Sequence, residues 1–115
     1  MASTLTNLSS VGTTSLFPAS PVTVSFGFTA TAGRLLVMPI DIFNLDSVTT
    51  PTGWSLAVSG TGGNGNSQIF YKIAAGGETS VDVYHSSLSK MNYLVAEFDS
   101  ISGSPLDKTC SGGLD

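Results

Sequence analysis

Glu97 and Asp99 are the pair of residues whose type and spacing best suit chemistry. They stand two residues apart in a segment that alternates like a β-strand, so their carboxylates project from the same face. Such a pair offers two oxygens to Ca²⁺, which takes about 6–8 ligands, or forms one side of a glycosidase dyad. Because no adjacent loop rich in Asp, Asn and Gly completes either site, the sequence favours a solvated strand edge.

The only histidine of the chain is His85. Acyl transfer would need a nucleophile oriented by this imidazole, and no serine of the sequence lies in a G-x-S-x-G elbow. We therefore expect His85 at the surface or at the edge of a loop, near the end of the strand that contains Val81 and Val83.

A glycine-rich stretch at 60–65, GTGGNG, formally matches the dinucleotide fingerprint G-x-G-x-x-G. The fingerprint needs a helix after the glycines, because the pyrophosphate binds at the N-terminus of that helix. Residues 67–73 alternate as a strand instead. The stretch therefore predicts a loop between two strands, and the sequence indicates no cofactor.

Asp41 stands between Ile40 and Ile42 in an otherwise apolar segment. A buried carboxylate is costly unless it is paired, so Asp41 either faces outward or finds a donor such as Arg34 or a backbone N–H. We favour the first alternative, in which Asp41 faces solvent or a neighbouring subunit.

Exposed aromatic side chains stack on sugar rings in many carbohydrate-binding sandwiches. Trp54 alternates with other apolar residues and is expected in the core. Tyr84 and Tyr93 fall on the face opposite the apolar one, so we expect them at the surface. Together with Asn64 and Asn66 of the glycine-rich loop, they are the candidate surface contact residues.

Composition argues against several classes of partner. Charged residues make up 10% of the chain, against about 25% in typical soluble domains, and the net charge is −4. Nucleic acids and anionic membranes recruit clustered basic residues, whereas those of this chain are scattered: Arg34, Lys72, Lys90 and Lys108. The longest apolar run, 35–43, is far shorter than the ~20 residues that span a bilayer. We expect neither a nucleic-acid nor a membrane partner.

Cys110 is the only cysteine, which excludes an intrachain disulfide and a multi-Cys zinc site. No other cluster of ligands stands out, so no metal is predicted.

Apolar residues recur with period two, which is typical of strands with one buried face. The clearest example places Val22, Val24, Phe26 and Phe28 on one face. Further strands are predicted within 35–43, 54–58, 68–73, 81–83 and 93–98, and the face of Trp54, Leu56 and Val58 is expected to point inward. Residues 68–73 and 81–83 are predicted to pair as a hairpin through the turn at 75–78.

Pro39 interrupts the apolar run at 35–43. Proline cannot donate to a β-ladder, so we expect it on an edge strand or at a bulge where the strand changes partners.

Short strands separated by Gly- and Pro-rich turns predict an all-β fold, an antiparallel β-sandwich or jelly roll. One β-sandwich domain is expected at 1–107. Residues 108–115 are predicted to be an irregular C-terminal tail or the start of a truncated continuation, in which case strands of neighbouring chains would complete the fold.

Four segments of the chain follow one another in a recognisable order: GRLLV at 33–37, TPTGWSL at 50–56, YKIA at 71–74, and LVAEFDSI at 94–101 followed by PLD at 105–107. Their order and spacing resemble a β-sandwich module of bacteriophage virion and bacterial surface proteins. The match runs from about Thr4 to Asp107. Pro39 departs from the pattern, because that strand is usually uninterrupted, and members of the family usually continue with further strands.

The resemblance implies a binding or structural role in phage tail, fibre or capsid-surface proteins, and it brings no catalytic residues. The leading hypothesis is therefore a non-enzymatic virion structural protein, a capsid decoration, head-fibre or tail-fibre component at the particle surface. Other virion proteins and further copies of the chain are the expected partners. The alternative is a carbohydrate-binding or adhesin module of a bacterial surface protein, with a host-surface glycan as its ligand.

Overall fold

The computed structural model describes residues 4–10, 12–14, 19–43, 48–62, 65–85 and 90–99. Their fold is all-β, and two antiparallel sheets pack together as a β-sandwich, which confirms the predicted fold class. The strands of the described residues are β1 (Thr4–Leu8), β2 (Gly12–Thr13), β3 (Val22–Ser25), β4 (Leu35–Ile42), β5 (Ser55–Gly62), β6 (Gly65–Ile73), β7 (Ser80–Val83), β8 (Met91–Tyr93) and β9 (Ala96–Asp99).

The two sheets differ greatly in size. The large sheet has seven strands, and five of them lie side by side in the order β1-β9-β4-β6-β5. Strand β8 pairs with β4 beyond the end of β9, and β2 pairs with β8. The small sheet consists of β3 and β7 alone. Strand β4 is thus the centre of the large sheet, with β6 on one side and both β8 and β9 on the other.

The core lies between the inner face of the large sheet and the small sheet. Strand β4 alternates strictly, and its even-numbered residues are buried. Val22 and Val24 of β3 face them from the small sheet, and the ring of Trp54 meets that of Phe26 edge to face at 6.4 Å. The predicted inward face of 22–28 and the predicted core position of Trp54 are therefore confirmed.

Pro39 lies in the central strand, so the prediction of an edge position is wrong. The alternative is confirmed in part: β4 changes partner at Pro39, but the register is the same on both sides, so there is no bulge. Strand β4 pairs with β9 through Leu35–Val37 and with β8 through Ile40–Ile42. Between them, the amide of Leu94 donates to the carbonyl of Pro39 at 3.4 Å. An antiparallel pair of this kind normally returns a second bond. Proline has no N–H to return it, and the ladder is interrupted there.

The predicted hairpin of 68–73 with 81–83 is wrong, because the two strands belong to different sheets. Strand β6 pairs with β4 and β5, whereas β7 pairs with β3. The connection at 74–79 is held to the segment that follows β3 by three backbone hydrogen bonds: Gly77 N to Ala30 O, Ala30 N to Glu78 O and Phe26 N to Thr79 O. A tight turn between two alternating segments can thus pass the chain from one sheet to the other.

The predicted inward face of Trp54, Leu56 and Val58 has the right direction at Leu56, which lies opposite the buried Phe70, and is wrong at Val58. Leu56 is 41% exposed, because β5 is the edge strand on this side of the large sheet and no other described strand lies beyond it. The register shifts between Leu56 and Val58, so Val58 lies opposite Ile69 on the other face. An extra residue in one strand of a pair reverses the direction of the side chains that follow.

Gly76 and Gly77 provide a matched test of the crossing connection. Both have positive φ angles, 105° and 91°, so an alanine at either position is strained. A Cβ on Gly76 would lie 3.1 Å from the Cβ of Ala32, whereas one on Gly77 would meet nothing within 4 Å. We expect Gly77→Ala to lower the free energy of unfolding by about 1–2 kcal/mol and Gly76→Ala by about 2–4 kcal/mol. Urea denaturation monitored by the fluorescence of Trp54 measures both. Equal losses would contradict the described packing of the connection on Ala32.

Candidate functional site

The side chain of Glu97 is fully buried and accepts hydrogen bonds from four donors. Its Oε1 accepts from Thr6 Oγ1 at 2.8 Å, from Asn7 Nδ2 at 2.7 Å and from Arg34 Nη1 at 3.3 Å. Its Oε2 accepts from the backbone N–H of Thr31 at 2.8 Å. A buried carboxylate is stabilised only when such donors compensate for the water it has lost.

Three separate parts of the chain supply these donors. Glu97 lies opposite Leu36 of β4 and opposite Asn7 of β1, on the inner face of the large sheet. The register of β1 shifts between Leu5 and Asn7, and the intervening Thr6 also contacts Glu97, through hydrogen bonds to its carboxylate and to its carbonyl. Thr31 and Arg34 belong to the connection between β3 and β4.

The environment of Glu97 keeps its carboxylate ionised. Burial alone would raise its pKa, but the hydrogen bonds from Thr31, Asn7, Thr6 and Arg34 outweigh burial and lower the pKa below the ordinary value. General acid catalysis at neutral pH requires the opposite shift. With no exposed surface, this carboxylate also offers no oxygen to an incoming substrate in the described conformation.

Asp99 contacts the same guanidinium as Glu97. Its Oδ2 lies 3.7 Å from Arg34 Nη2, and its side chain is 48% exposed. The prediction of a solvated strand edge therefore fits Asp99 and is wrong for Glu97, whose four donors draw it into the sandwich. Both carboxylates contact Arg34. Among the described residues, no group of three or more His, Cys, Asp or Glu side chains is suited to hold a metal ion.

A second carboxylate, Glu78, closes the connection between β6 and β7. It accepts from the amides of Ala75 and Gly76 at 2.8 Å each, and it forms an ion pair with Lys72 at 2.9 Å. Burial alone would raise its pKa, but Lys72 and the backbone amides outweigh burial and lower the pKa from 4.5 to about 2. This carboxylate holds a turn rather than a ligand.

His85 lies at the edge of a loop, as predicted. It forms an isolated bridge with Val48, and its backbone N–H donates to Ser20 Oγ at 3.0 Å. The ring Nε2 lies 3.4 Å from the carbonyl oxygen of Ala19. The imidazole is thus half-buried beside the backbone of Ala19.

Asp41 faces outward, as expected. It is exposed and accepts a hydrogen bond from Ser67 Oγ at 2.8 Å. The prediction of a loop at 60–65 is wrong for most of this stretch, because residues 60–62 are the end of β5 and Gly65 begins β6, where it pairs with Gly62. Residues 63–64 lie outside the described residues. A strand follows the glycines, as the alternation predicts, so the helix that a dinucleotide site needs is missing from this position.

The candidate surface contact residues do not form one site. Tyr84 is 53% exposed, as expected. Tyr93 lies opposite Ile40 on the inner face and packs against the core, with its ring beside Gly12, where a Cβ would overlap it. Asn66 is buried at 8% exposure, and Asn64 lies outside the described residues. The expected exposure of Tyr93 and Asn66 is therefore wrong, because they lie opposite Ile40 and Ile42 of β4, whose side chains face the core.

The outer face of the large sheet is the main feature that the sequence analysis missed. Cross-strand partners such as Val37 with Tyr71 and Leu35 with Phe98 place apolar side chains next to one another across five strands. All of them are partly or largely exposed. We call this surface the outer apolar face: Leu5, Leu8, Leu35, Val37, Pro39, Val58, Ile69, Tyr71, Ile73, Leu94 and Phe98.

One signal in the sequence was available for this face. In residues 93–98 the side chains alternate between two faces. Leu94, Ala96 and Phe98 form a fully apolar set, while Tyr93 and Glu97 belong to a set that mixes polar and apolar residues. The mixed set points inward. Burial of the more hydrophobic set would give the opposite orientation, so the observed orientation leaves an apolar surface exposed on the outside.

Comparisons of the chain with protein families, curated proteins and solved structures gave no match. The described residues include no helix that is long and apolar enough to cross a membrane.

Replacement of Glu97 tests its role in the fold. Glu97→Gln leaves one acceptor oxygen and turns an amide toward the remaining donors, so we expect a loss of about 2–4 kcal/mol in the free energy of unfolding. Asp99→Asn is the matched control at the exposed partner of Arg34, with an expected loss below about 1 kcal/mol. Thr6→Val removes one donor and should cost about 1 kcal/mol. Urea denaturation at pH 7 measures all three. Similar losses for Glu97→Gln and Asp99→Asn would refute the buried role of Glu97.

Acid should destabilise the fold through Glu78 and Glu97. A carboxylate whose folded pKa is lowered stabilises the fold fully above its unfolded pKa, and this contribution is lost as the pH falls toward the folded pKa. For Glu78 the window lies between 4.5 and about 2. We expect Glu78→Gln to be less stable than the wild type by about 2–3 kcal/mol at pH 7, and this difference should shrink through that window.

Denaturation series between pH 7 and pH 2 measure this difference. The control Lys72→Gln removes one donor and keeps the amides of Ala75 and Gly76, so part of the pH dependence should persist. A difference between the wild type and Glu78→Gln that does not change with pH would contradict the described turn.

Proposed function

We propose that this chain is a non-enzymatic structural protein of a bacteriophage particle, a capsid-surface or tail-fibre component that works by assembly. One observation carries the proposal. The large sheet of a small sandwich turns a continuous apolar face outward, and the two acidic residues best suited to chemistry contact one guanidinium. Such a surface is suited to burial against protein, because contiguous exposed apolar patches on small soluble domains commonly mark interaction sites.

The low charge of the chain supports the same proposal. Only 10% of the residues are charged, and the apolar rows of the large sheet carry none of them among the described residues. A surface with few charges has little water to lose from ionic groups when it is buried in an assembly. The resemblance of the sequence to a β-sandwich module of phage virion proteins supplies the particular setting, the particle surface.

The alternative, a carbohydrate-binding module, has lost part of its support. Of its expected contact residues, Tyr93 and Asn66 face inward, and Tyr84 is the aromatic residue that remains exposed. A sugar site usually combines an aromatic platform with converging polar groups, and Asn66, the expected polar contact that is described, is buried on the inner face.

The proposal is tested on particles from the bacterium or phage that carries the coding sequence. Particles are purified on a density gradient, and the chain is detected by mass spectrometry and by antibody labelling in electron microscopy. We expect the chain to co-purify with particles and to be labelled at their outer surface. Particles without the chain, with all of it in the soluble fraction, would overturn the proposal.

A saccharide array with the purified chain separates the two classes of function. A structural subunit should give no saccharide signal. Binding that is abolished by Tyr84→Ala and retained in the control Phe43→Ala, which removes another exposed aromatic ring, would favour the carbohydrate-binding module instead.

A further inference from the structure

We propose that the outer apolar face binds the same face of a second copy of this chain, so that two large sheets pack face to face in a symmetric dimer. The inference deepens the proposed assembly function and rests on it for its biological setting. It names the partner and the surface, neither of which the sandwich fold alone determines.

The face is large enough for a stable contact. Five strands side by side cover about 24 Å, and eight residues of β4 extend about 27 Å, which gives a flat area of about 650 Å². Side chains add relief, so the accessible area exceeds this value. A standard protein interface buries about 800 Å² on each partner. The outer face of one sheet is therefore close to what one side of a stable dimer needs.

The chemistry of the face matches a copy of itself. Its apolar rows contain no charged side chain among the described strands, so two copies meet without repulsion although the whole chain carries a net charge of −4. Tyr71 lies in the middle of the face, between Val37 and Ser55. An aromatic residue at the centre and polar residues at the rim form the usual plan of an interface. Asp41 and Ser67 supply such a rim at one end.

The edges of the large sheet are less suited to association than its face. Strands β1 and β5 are the two outermost of the five, and each has a register shift, between Leu5 and Asn7 and between Leu56 and Val58. Such bulges disturb the row of amides and carbonyls that an added strand would need, and they are a common protection of sheet edges. Contact through the face does not need these groups.

Two aligned sheets can pack in this way without rearrangement. Twisted sheets pack face to face at about 10 Å with strand directions about 30° apart. In a dimer with a two-fold axis, the same patch of each copy contacts the other copy. Each side chain of the face therefore contributes to the interface twice.

Analytical ultracentrifugation of the full chain tests the proposal, with a reductant present so that Cys110 cannot link two copies. The variant Ile73→Lys places a charge on the face at a residue that is 44% exposed. The control Leu56→Lys makes the same kind of change at a residue that is 41% exposed and lies on the other side of the sheet. Their similar exposure means that folding should tolerate both, and circular dichroism checks this.

We expect the wild type to dimerise and Ile73→Lys to weaken the dimer on the order of 100-fold or more, because two charges enter one apolar interface. Leu56→Lys should stay within about 3-fold of the wild type. A wild type that stays monomeric up to about 100 µM, or equal effects of the two variants, would overturn the proposal.

Methyl NMR of the wild type gives an answer that needs no variant. On dilution, the methyl signals of Val37, Ile69 and Ile73 should shift together, while those of Leu56 should not. Shifts confined to Leu56 or to the small sheet would place the contact elsewhere and refute the proposal. Failure here leaves the labelling of particles unaffected, so the self-association of the face and the virion function are judged separately.

Discussion

The burial of the Glu97 carboxylate fixes the orientation of the large sheet. A negative charge without access to solvent is tolerated only where several donors converge on it. Here they come from β1 and from the connection between β3 and β4, between 63 and 91 residues away along the chain. The N-terminal strand, the last described strand and the entry into the central strand must therefore meet at one point. The side chain of Leu36, opposite Glu97, is placed in the core by the same contact.

This constraint explains why polar side chains lie inside and apolar ones outside. A strand has two faces, and burying Glu97 turns Phe98 and Leu94 outward with no further choice. Strand β6 follows the same orientation, since Gln68 is buried and exchanges hydrogen bonds with the backbone of Val48. Each of these inner polar groups joins segments that are distant in sequence. Pairing across the sheet then brings the outward apolar residues of neighbouring strands together.

The sequence predicted the features that depend on local pattern. The positions of β3 to β7 and of β9, the core role of Trp54, the outward Asp41 and the change of partners at Pro39 follow from alternation and from the missing amide of proline. Strands β1 and β2 were not predicted, because β2 has two residues and the register shift between Leu5 and Asn7 breaks the alternation of β1. It could not predict which face of β6 or β9 is buried, because alternation defines two faces without ranking them. The wrong prediction for Tyr93 has this origin. Asn66 lies in β6 rather than in the predicted loop, and the predicted β6–β7 hairpin is wrong because alternation does not specify which sheet a strand joins. The partners of Glu97 lie far away in sequence, and the bulge after Leu56 has no local signal.

The unequal size of the two sheets is the feature of the fold on which the proposed assembly depends. The two-stranded sheet lies on the inner face of the seven-stranded one and leaves Leu56 exposed there, and no described strand covers the outer face of the large sheet. Apolar area that stays exposed gives up roughly 25 cal/mol per Å² that burial would provide, while the inner face has already taken in a carboxylate and two amides. A single copy is thus stabilised by donors converging on its inner polar groups and remains incomplete in its hydrophobic burial. In the proposed dimer, covering the outer face would supply that missing burial, and the buried charge of each chain would thereby be linked to the association of two copies.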